Sequence, residues 1–312
     1  MKKLLLFICC LGVFSLSLYP RPQAEPGAAA PLRVGIMPDA DSLPFMAARD
    51  EGFFEQEGVA VDLITFSNPQ ERDAAIQAGR LDGAISDLLA AAFFAAGGFD
   101  TKVTSLTDGR YGIVVSPQSG IKTLAELRGR RIGLSTNTII QYTVDAQLQQ
   151  AGVSMEEYEA VSVPRMPLRL EMVLEGRIEG ASLPEPLLTA AAAQGAPLLS
   201  TTDSTGIDAG IMLFSKKVLD ERLEAVRAFY RAYYKAAQKI NANPDAYREY
   251  LVDKAAFPAA VKDTYRFVRY RKPSLPDNSQ IEGALNWLKS RNLLEADLKP
   301  GDLVDRRITS EW

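Results

Sequence analysis

Five short polar clusters in this 312-residue chain each sit where a short apolar run ends. They are Asp39-Ala40-Asp41-Ser42, Ser67-Asn68, Ser86-Asp87, Ser135-Thr136-Asn137-Thr138, and Glu185 between Pro184 and Pro186. Carboxylates, hydroxyls and carboxamides of this kind can hold a small molecule by hydrogen bonds, but alone they neither make nor break a bond. The chain has no histidine, and its two cysteines, Cys9 and Cys10, lie in an apolar N-terminal run. An imidazole base is excluded. Once that run is removed, so are a thiolate nucleophile, a disulfide and a zinc site built on Cys or His. Phosphate-binding glycine loops, GxSxG and HExxH are missing, and the acidic residues follow no motif that pairs two of them for catalysis. No cofactor and no metal is expected, and reversible binding is favoured over catalysis.

Each cluster also has a plainer use. Asp39, Asp41 or Ser42 could hydrogen-bond a ligand or cap the helix that follows, and Phe45 could stack on a planar ring or pack in the core. Ser67 and Asn68 suit neutral hydrogen bonding, but they also precede Pro69 as an N-cap would. Asp87 could accept hydrogen bonds from an amino group or cap the helix after it, which leaves Ser86 as the better contact. Residues 135–138 offer hydroxyls and free backbone N–H groups at a helix start, a ready place for an anionic or electron-rich group. Glu185 could face the same space or simply favour a helix first turn, and Asp208 is a further candidate.

The elements that would position these clusters alternate. Strands are expected at 32–37, 59–66 and 84–85, with helices over 43–54, from Pro69 to near Gly79, and over 87–96. Strands at 101–107 and 111–116 lead out of this series, and Thr123 with Glu126 has capping-box spacing for a short helix. A second series follows: strands at 131–134, 160–163, 180–183 and 197–199, helices over 138–151, 167–175 and 185–194. Residues 207–214 read as a returning strand. A long amphipathic helix over 216–241 and several short helices separated by prolines complete the chain. Strands alternating with helices imply parallel βαβ units, hence an α/β fold. The chain builds such units, crosses over, builds more and crosses back, so two lobes with a two-segment hinge are expected. The divisions are residues 31–110 plus 210–312 for the first lobe, with the C-terminal helices, and 111–209 for the second.

The order Gly52-Phe53-Phe54, Glu57-Gly58-Val59, a strand, then Ala78-Gly79-Arg80-Leu81-Asp82-Gly83-Ala84 resembles the N-terminal lobe of solute-binding proteins of ABC importers. The branch it is similar to carries thiamine-precursor pyrimidines, aliphatic sulfonates and nitrate, and the resemblance extends more weakly over residues 32–215. It implies the two-lobed periplasmic binding protein fold of type II, each lobe a βα sheet, closing by a hinge around a ligand. It also implies a permease and ATPase complex as partners, and ligand contacts from the loop after the first strand, from Ser86-Asp87 and from residues 135–138. Many members carry an aromatic residue before Glu-Pro where this chain has Leu183-Pro184. A ring stack from that loop is therefore not expected. One relative of this fold is a pyrimidine synthase that consumes its own histidine and carries clustered cysteines, and this chain has neither in its mature part. Acidic candidates outnumber basic ones in the loops, which favours a neutral or amine-bearing heterocycle such as a thiamine-precursor pyrimidine. An aliphatic sulfonate or similar small anion, or a sensory module without a transporter, are the alternatives.

Residues 1–30 combine Lys2-Lys3, an apolar run over 4–18 and a Pro/Ala/Gly-rich exit, the layout of a secretory signal too short to remain as a membrane span. Phe7-Ile8, not small residues, precede Cys9, so plain cleavage is favoured over a lipid anchor. The location expected is periplasmic or extracytoplasmic. Lys2, Lys3, Arg21 and Glu25 give that segment a net +2, so its removal takes the chain from −4 to −6. A mildly acidic surface without basic blocks excludes nucleic acid as a partner on bulk charge, and a monomer is expected.

Overall fold

Ten strands collect into two five-stranded sheets. The account rests on a computed structural model that describes residues 30–208 and 210–312; the expected secretory segment, with both cysteines, lies outside the described residues. The first half runs β1 (Leu32–Ile36), α1 (Leu43–Asp50), α2 (Phe53–Gln56), β2 (Val61–Thr65), α3 (Pro69–Gln77), β3 (Gly83–Asp87), α4 (Leu88–Ala96) and β4 (Thr101–Leu106). The second half runs β5 (Tyr111–Val115), β6 (Arg131–Leu134), α5 (Ile139–Gln150), β7 (Glu159–Ser162), α6 (Met166–Leu174), β8 (Gly180–Pro184), α7 (Leu187–Ala193) and β9 (Leu198–Thr201). Then come β10 (Gly210–Ser215), α8 (Lys216–Glu221), α9 (Leu223–Ala242), α10 (Arg248–Asp253), α11 (Asn278–Ser290) and α12 (Pro300–Leu303).

The sheets share one plan. The first has order β2-β1-β3-β10-β4 and the second β7-β6-β8-β5-β9. In each, three strands are parallel and the fourth is antiparallel to its neighbours. That fourth strand, β10 or β5, is the one that has just crossed from the other sheet. The two-lobed α/β fold expected from the sequence is the fold observed.

Four expectations are corrected. The helix expected over 43–54 is two, α1 and α2, parted where Gly52 takes a left-handed φ of 73°. The long helix over 216–241 is two helices, because Arg222 takes φ −137° and breaks the ladder. The change of direction lets α9 lay Val226, Phe229, Tyr230, Tyr233, Ala236 and Ile240 on the core as one buried stripe. The helix expected from Glu185 begins at Leu187, since the Glu185 side chain is spent on the Thr189 N–H and hydroxyl. Thr123 makes no side-chain cap; the turn Leu124–Leu127 is 3-10, and Glu126 instead accepts the Lys122 N–H at 2.9 Å.

The first sheet is anchored by an aromatic cluster. Phe229 stacks on Phe45 at 5.1 Å and Phe54 at 5.5 Å and meets Phe214 edge-on at 5.6 Å. It thus joins α9 to α1, α2 and β10. Phe229→Ala should cost about 3–5 kcal/mol, measured by urea unfolding. A loss under about 1 kcal/mol would contradict its place at the centre of this cluster.

Candidate functional site

In an open α/β sheet a ligand sits beyond the carboxyl ends of the strands, where strand order reverses. Those reversals fall between β1 and β3 and between β6 and β8. The loops there hold Asp39, Asp41, Ser86 and Asp87 on one wall, and Ser135, Thr138 and Glu185 on the other. The two walls meet: the Ala40 N–H donates to the Glu185 carbonyl at 3.2 Å. Asp87 caps α4 by accepting the Ala90 N–H at 2.9 Å, and the Ile139 amide at the start of α5 also stabilises its charge.

The first wall is acidic and buried. Asp39 accepts from the Ser42 N–H and hydroxyl, at 3.2 and 3.0 Å, as N-cap of a 3-10 turn over Ala40–Ser42. Asp41, 3% exposed, receives the Tyr111 hydroxyl at 3.4 Å through one oxygen. The Thr107 hydroxyl also stabilises the Asp41 anion, and the buried Ser86 hydroxyl is without a partner. Burial, then the neighbouring Asp41 charge, holds the Asp39 carboxyl well above the usual range. Burial likewise raises Asp41 to about 6 and raises Asp87. The countercharge is Arg72 of α3, itself 3% exposed, which stabilises Asp39 and Asp87 as anions. Gly109 makes room for Asp41: a Cβ there would lie 2.2 Å from Asp41 Oδ2.

The second wall is built on donors. Thr138 caps α5, taking the Ile140 N–H at 3.2 Å and giving its hydroxyl to the Ser135 carbonyl at 2.9 Å. Asn137 adopts φ 58°, a left-handed conformation that asparagine tolerates, and its N–H is held by Gln141 at 2.9 Å. The Thr136 hydroxyl pairs with Ser162 at 3.3 Å. Ser135 accepts from Arg169 Nη2 at 2.6 Å. Glu185, 4% exposed, is raised by burial and lies 4.0 Å from Arg110.

Four candidates lie elsewhere. The Phe45 ring is 1% exposed, stacked between Phe229 and Tyr233 in the core. Asn68 caps α3 through the Glu71 N–H at 3.0 Å, and Ser67 donates to the Glu71 carboxylate at 3.0 Å. Asp208 pairs with Arg271 at 2.9 Å on the hinge. Arg271, from the C-terminal segment, also holds the buried Asp108 of the other hinge segment through its side chain and its N–H. Arg72, Arg169, Tyr111 and Arg271 went unnoticed in the sequence. For the first two a signal existed: each stands on the buried stripe of its helix, with Pro69 and Ala75 or with Met166 and Val173.

Two substitutions test the buried acid. With a folded value near 6 against an ordinary 3.8, Asp41 keeps a proton that the unfolded chain releases. Its contribution is present at low pH and lost as pH rises through 6. The stability of Asp41→Asn relative to wild type should therefore climb between about pH 4 and 7, by up to about 3 kcal/mol. A flat difference in urea unfolding contradicts this. Gly109→Ala should cost on the order of 1–3 kcal/mol through displacement of Asp41, and much less in an Asp41→Ala background. Equal costs in both backgrounds would refute the contact.

The comparisons with known proteins agree with this architecture. A protein of Brachyspira hyodysenteriae named as an ABC transporter periplasmic binding protein is 21% identical over 259 residues, 77% of this chain and 74% of its own. A Saccharomyces cerevisiae protein named 4-amino-5-hydroxymethyl-2-methylpyrimidine phosphate synthase is 25% identical over 234 residues, 67% of this chain and 66% of its own. Matches to binding proteins of Brucella cover 46% of their length. Among solved structures, the alkanesulfonate-binding protein SsuA from Xanthomonas axonopodis pv. citri, bound to MOPS, superposes with TM-score 0.76 at 18% identity, over 91% of this chain and 99% of that one. The model of the family described as NMT1/THI5 like matches residues 39–247, about two thirds of the chain. By that match, carried through both sheets, the chain belongs to the NMT1/THI5-like family.

Proposed function

We propose that this chain is an extracytoplasmic solute-binding protein that captures one small molecule between its two sheets and presents it to an ABC permease and ATPase. The ligand favoured is a neutral or amine-bearing heterocycle, such as a thiamine-precursor pyrimidine. One observation carries this reading: three buried acids of the first wall, Asp39, Asp41 and Asp87, face a single buried countercharge, Arg72. A ligand amine between the walls would give this excess of buried acid charge-assisted hydrogen bonds. Binding across both walls would favour the closed arrangement, since a ligand shifts a conformational equilibrium only by what it gains in one state over the other.

Catalysis is disfavoured because no imidazole accompanies these acids to activate a hydroxyl, and no group of three metal-ligating side chains occurs among the described residues. No helix of the described residues is long and apolar enough to cross a membrane. Export rests on residues 1–30 and on the naming of the relatives. A second reading, capture of a small anion, is supported by the buried Arg169 behind Ser135.

A thermal-shift panel of pyrimidines, sulfonates, polyamines and flavins tests the proposal. A ligand at 100 times its Kd should add about 2.7 kcal/mol of stability. Asp87→Asn should weaken an aminopyrimidine and leave a sulfonate unchanged or improved. The reverse pattern would overturn the preference for an amine, and turnover of any compound would overturn the binding-protein reading.

A further inference from the structure

Two arginines occupy matching places in the two sheets. Arg72 lies on α3, between β2 and β3, and Arg169 lies on α6, between β7 and β8. Both face inward, 3% and 0% exposed. Their surroundings differ. Arg72 stands near Asp39 and Asp87 and pairs with Asp73 at 2.8 Å. Arg169 donates only to uncharged oxygens: the carbonyls of Val163 at 2.9 Å, Ser182 at 2.6 Å and Pro164 at 3.4 Å, and the Ser135 hydroxyl oxygen at 2.6 Å. These oxygens belong to the carboxyl ends of β6, β7 and β8 or to the residues just beyond them. Arg169 therefore ties together the strand ends that form the second wall.

The bond to Ser135 has a directional consequence. An arginine is a donor only, so Ser135 must accept from it. A serine hydroxyl has one hydrogen, and that of Ser135 has no acceptor among the described residues. Its remaining capacity toward the cleft is to donate. Burial pulls the Arg169 value down to about 9, which still leaves the side chain charged near neutral pH. A buried charge without a carboxylate partner favours negative or electron-rich groups in its vicinity. The Ser182 and Ser86 hydroxyls, both buried, add unmet hydrogen-bonding capacity at the ends of β8 and β3.

We propose that the ligand is dipolar. Its donor end meets Asp41 and Asp87, its acceptor or anionic end meets the Ser135 hydroxyl, and Arg169 is the positioning residue that fixes Ser135 as a donor. This rests on the proposed function and narrows it. A compound with one pole alone leaves the opposite wall unmet, so selectivity comes from carrying both.

Calorimetric titration of the purified protein with two matched sets tests this. One set is 4-aminopyrimidine, aniline and pyrimidine; the other is taurine, ethylamine and ethanesulfonate. In at least one set the two-pole compound should bind at least tenfold tighter than either single-pole partner. Ser135→Ala should weaken that compound about tenfold and leave the donor-only partner unchanged. Arg169→Lys, which keeps the charge but supplies fewer bonds, should give a smaller loss of the same kind, and Arg169→Met a larger one. A purely structural role would lower affinity for every compound alike and leave the ratio unmoved. If Arg169→Met fails to fold by circular dichroism, Ser135→Ala and Arg169→Lys carry the test. Donor-only binding within threefold of the two-pole partner, or a Ser135→Ala loss shared equally, overturns the dipolar ligand alone. Ethanesulfonate binding as tightly as taurine overturns it in favour of an anion. Silence from all six compounds overturns the proposed heterocycle as well.

Discussion

The carboxylate of Asp87 serves two helices that belong to different sheets. It caps α4, which follows directly from its own strand, and it is stabilised by the first amide of α5 across the cleft. A buried charge must find hydrogen bonds or countercharge wherever it is placed. Meeting that requirement draws the start of α5 onto the end of β3. The Ala40 N–H to Glu185 carbonyl contact joins the same two walls.

The two connections between the sheets are tied by charge in a similar way. Arg271 arrives from the C-terminal segment and binds Asp108 on one crossing strand segment and Asp208 on the other. A single guanidinium thus restrains both connections. Farther along the same segment, α11 gives the Trp287 ring N–H to Asp145 of α5 at 2.8 Å while packing on α4. The C-terminal helices are therefore structural ties between the halves. A cavity of about 490 Å³ lies at the opposite end of the first sheet near Arg33, Gly83, Thr101 and Ser215. No strand carboxyl end of a parallel pair opens there, which argues against it as the ligand site.

Much of the fold could be read directly because its signals are local. Periodicity and capping residues located the strands and most helices, and the crossing order followed from their sequence. The misread places are element boundaries set by local backbone geometry: α1 and α2 part at Gly52 with φ 73°, and Arg222 leaves the helical region between α8 and α9. The site was legible in part. Polar residues at strand ends stand out, but capping and ligand contact use the same residue types, as Asn68 and Asp87 illustrate. The buried arginines were missed because charged helix residues are normally solvated. Only their position on an apolar stripe marks them. Arg271 carries no such mark, since its partners are 163 and 63 residues away.

The central claim is that the buried acids of the first wall and the Ser135 hydroxyl are ligand contacts. A crystal structure of the protein grown with 4-aminopyrimidine tests it most directly. The account predicts the ring between the walls, with its amine at hydrogen-bond distance from Asp41 or Asp87 and a ring nitrogen at the Ser135 hydroxyl. A ring bound only in the cavity near Arg33, with the walls still in mutual contact, would contradict it.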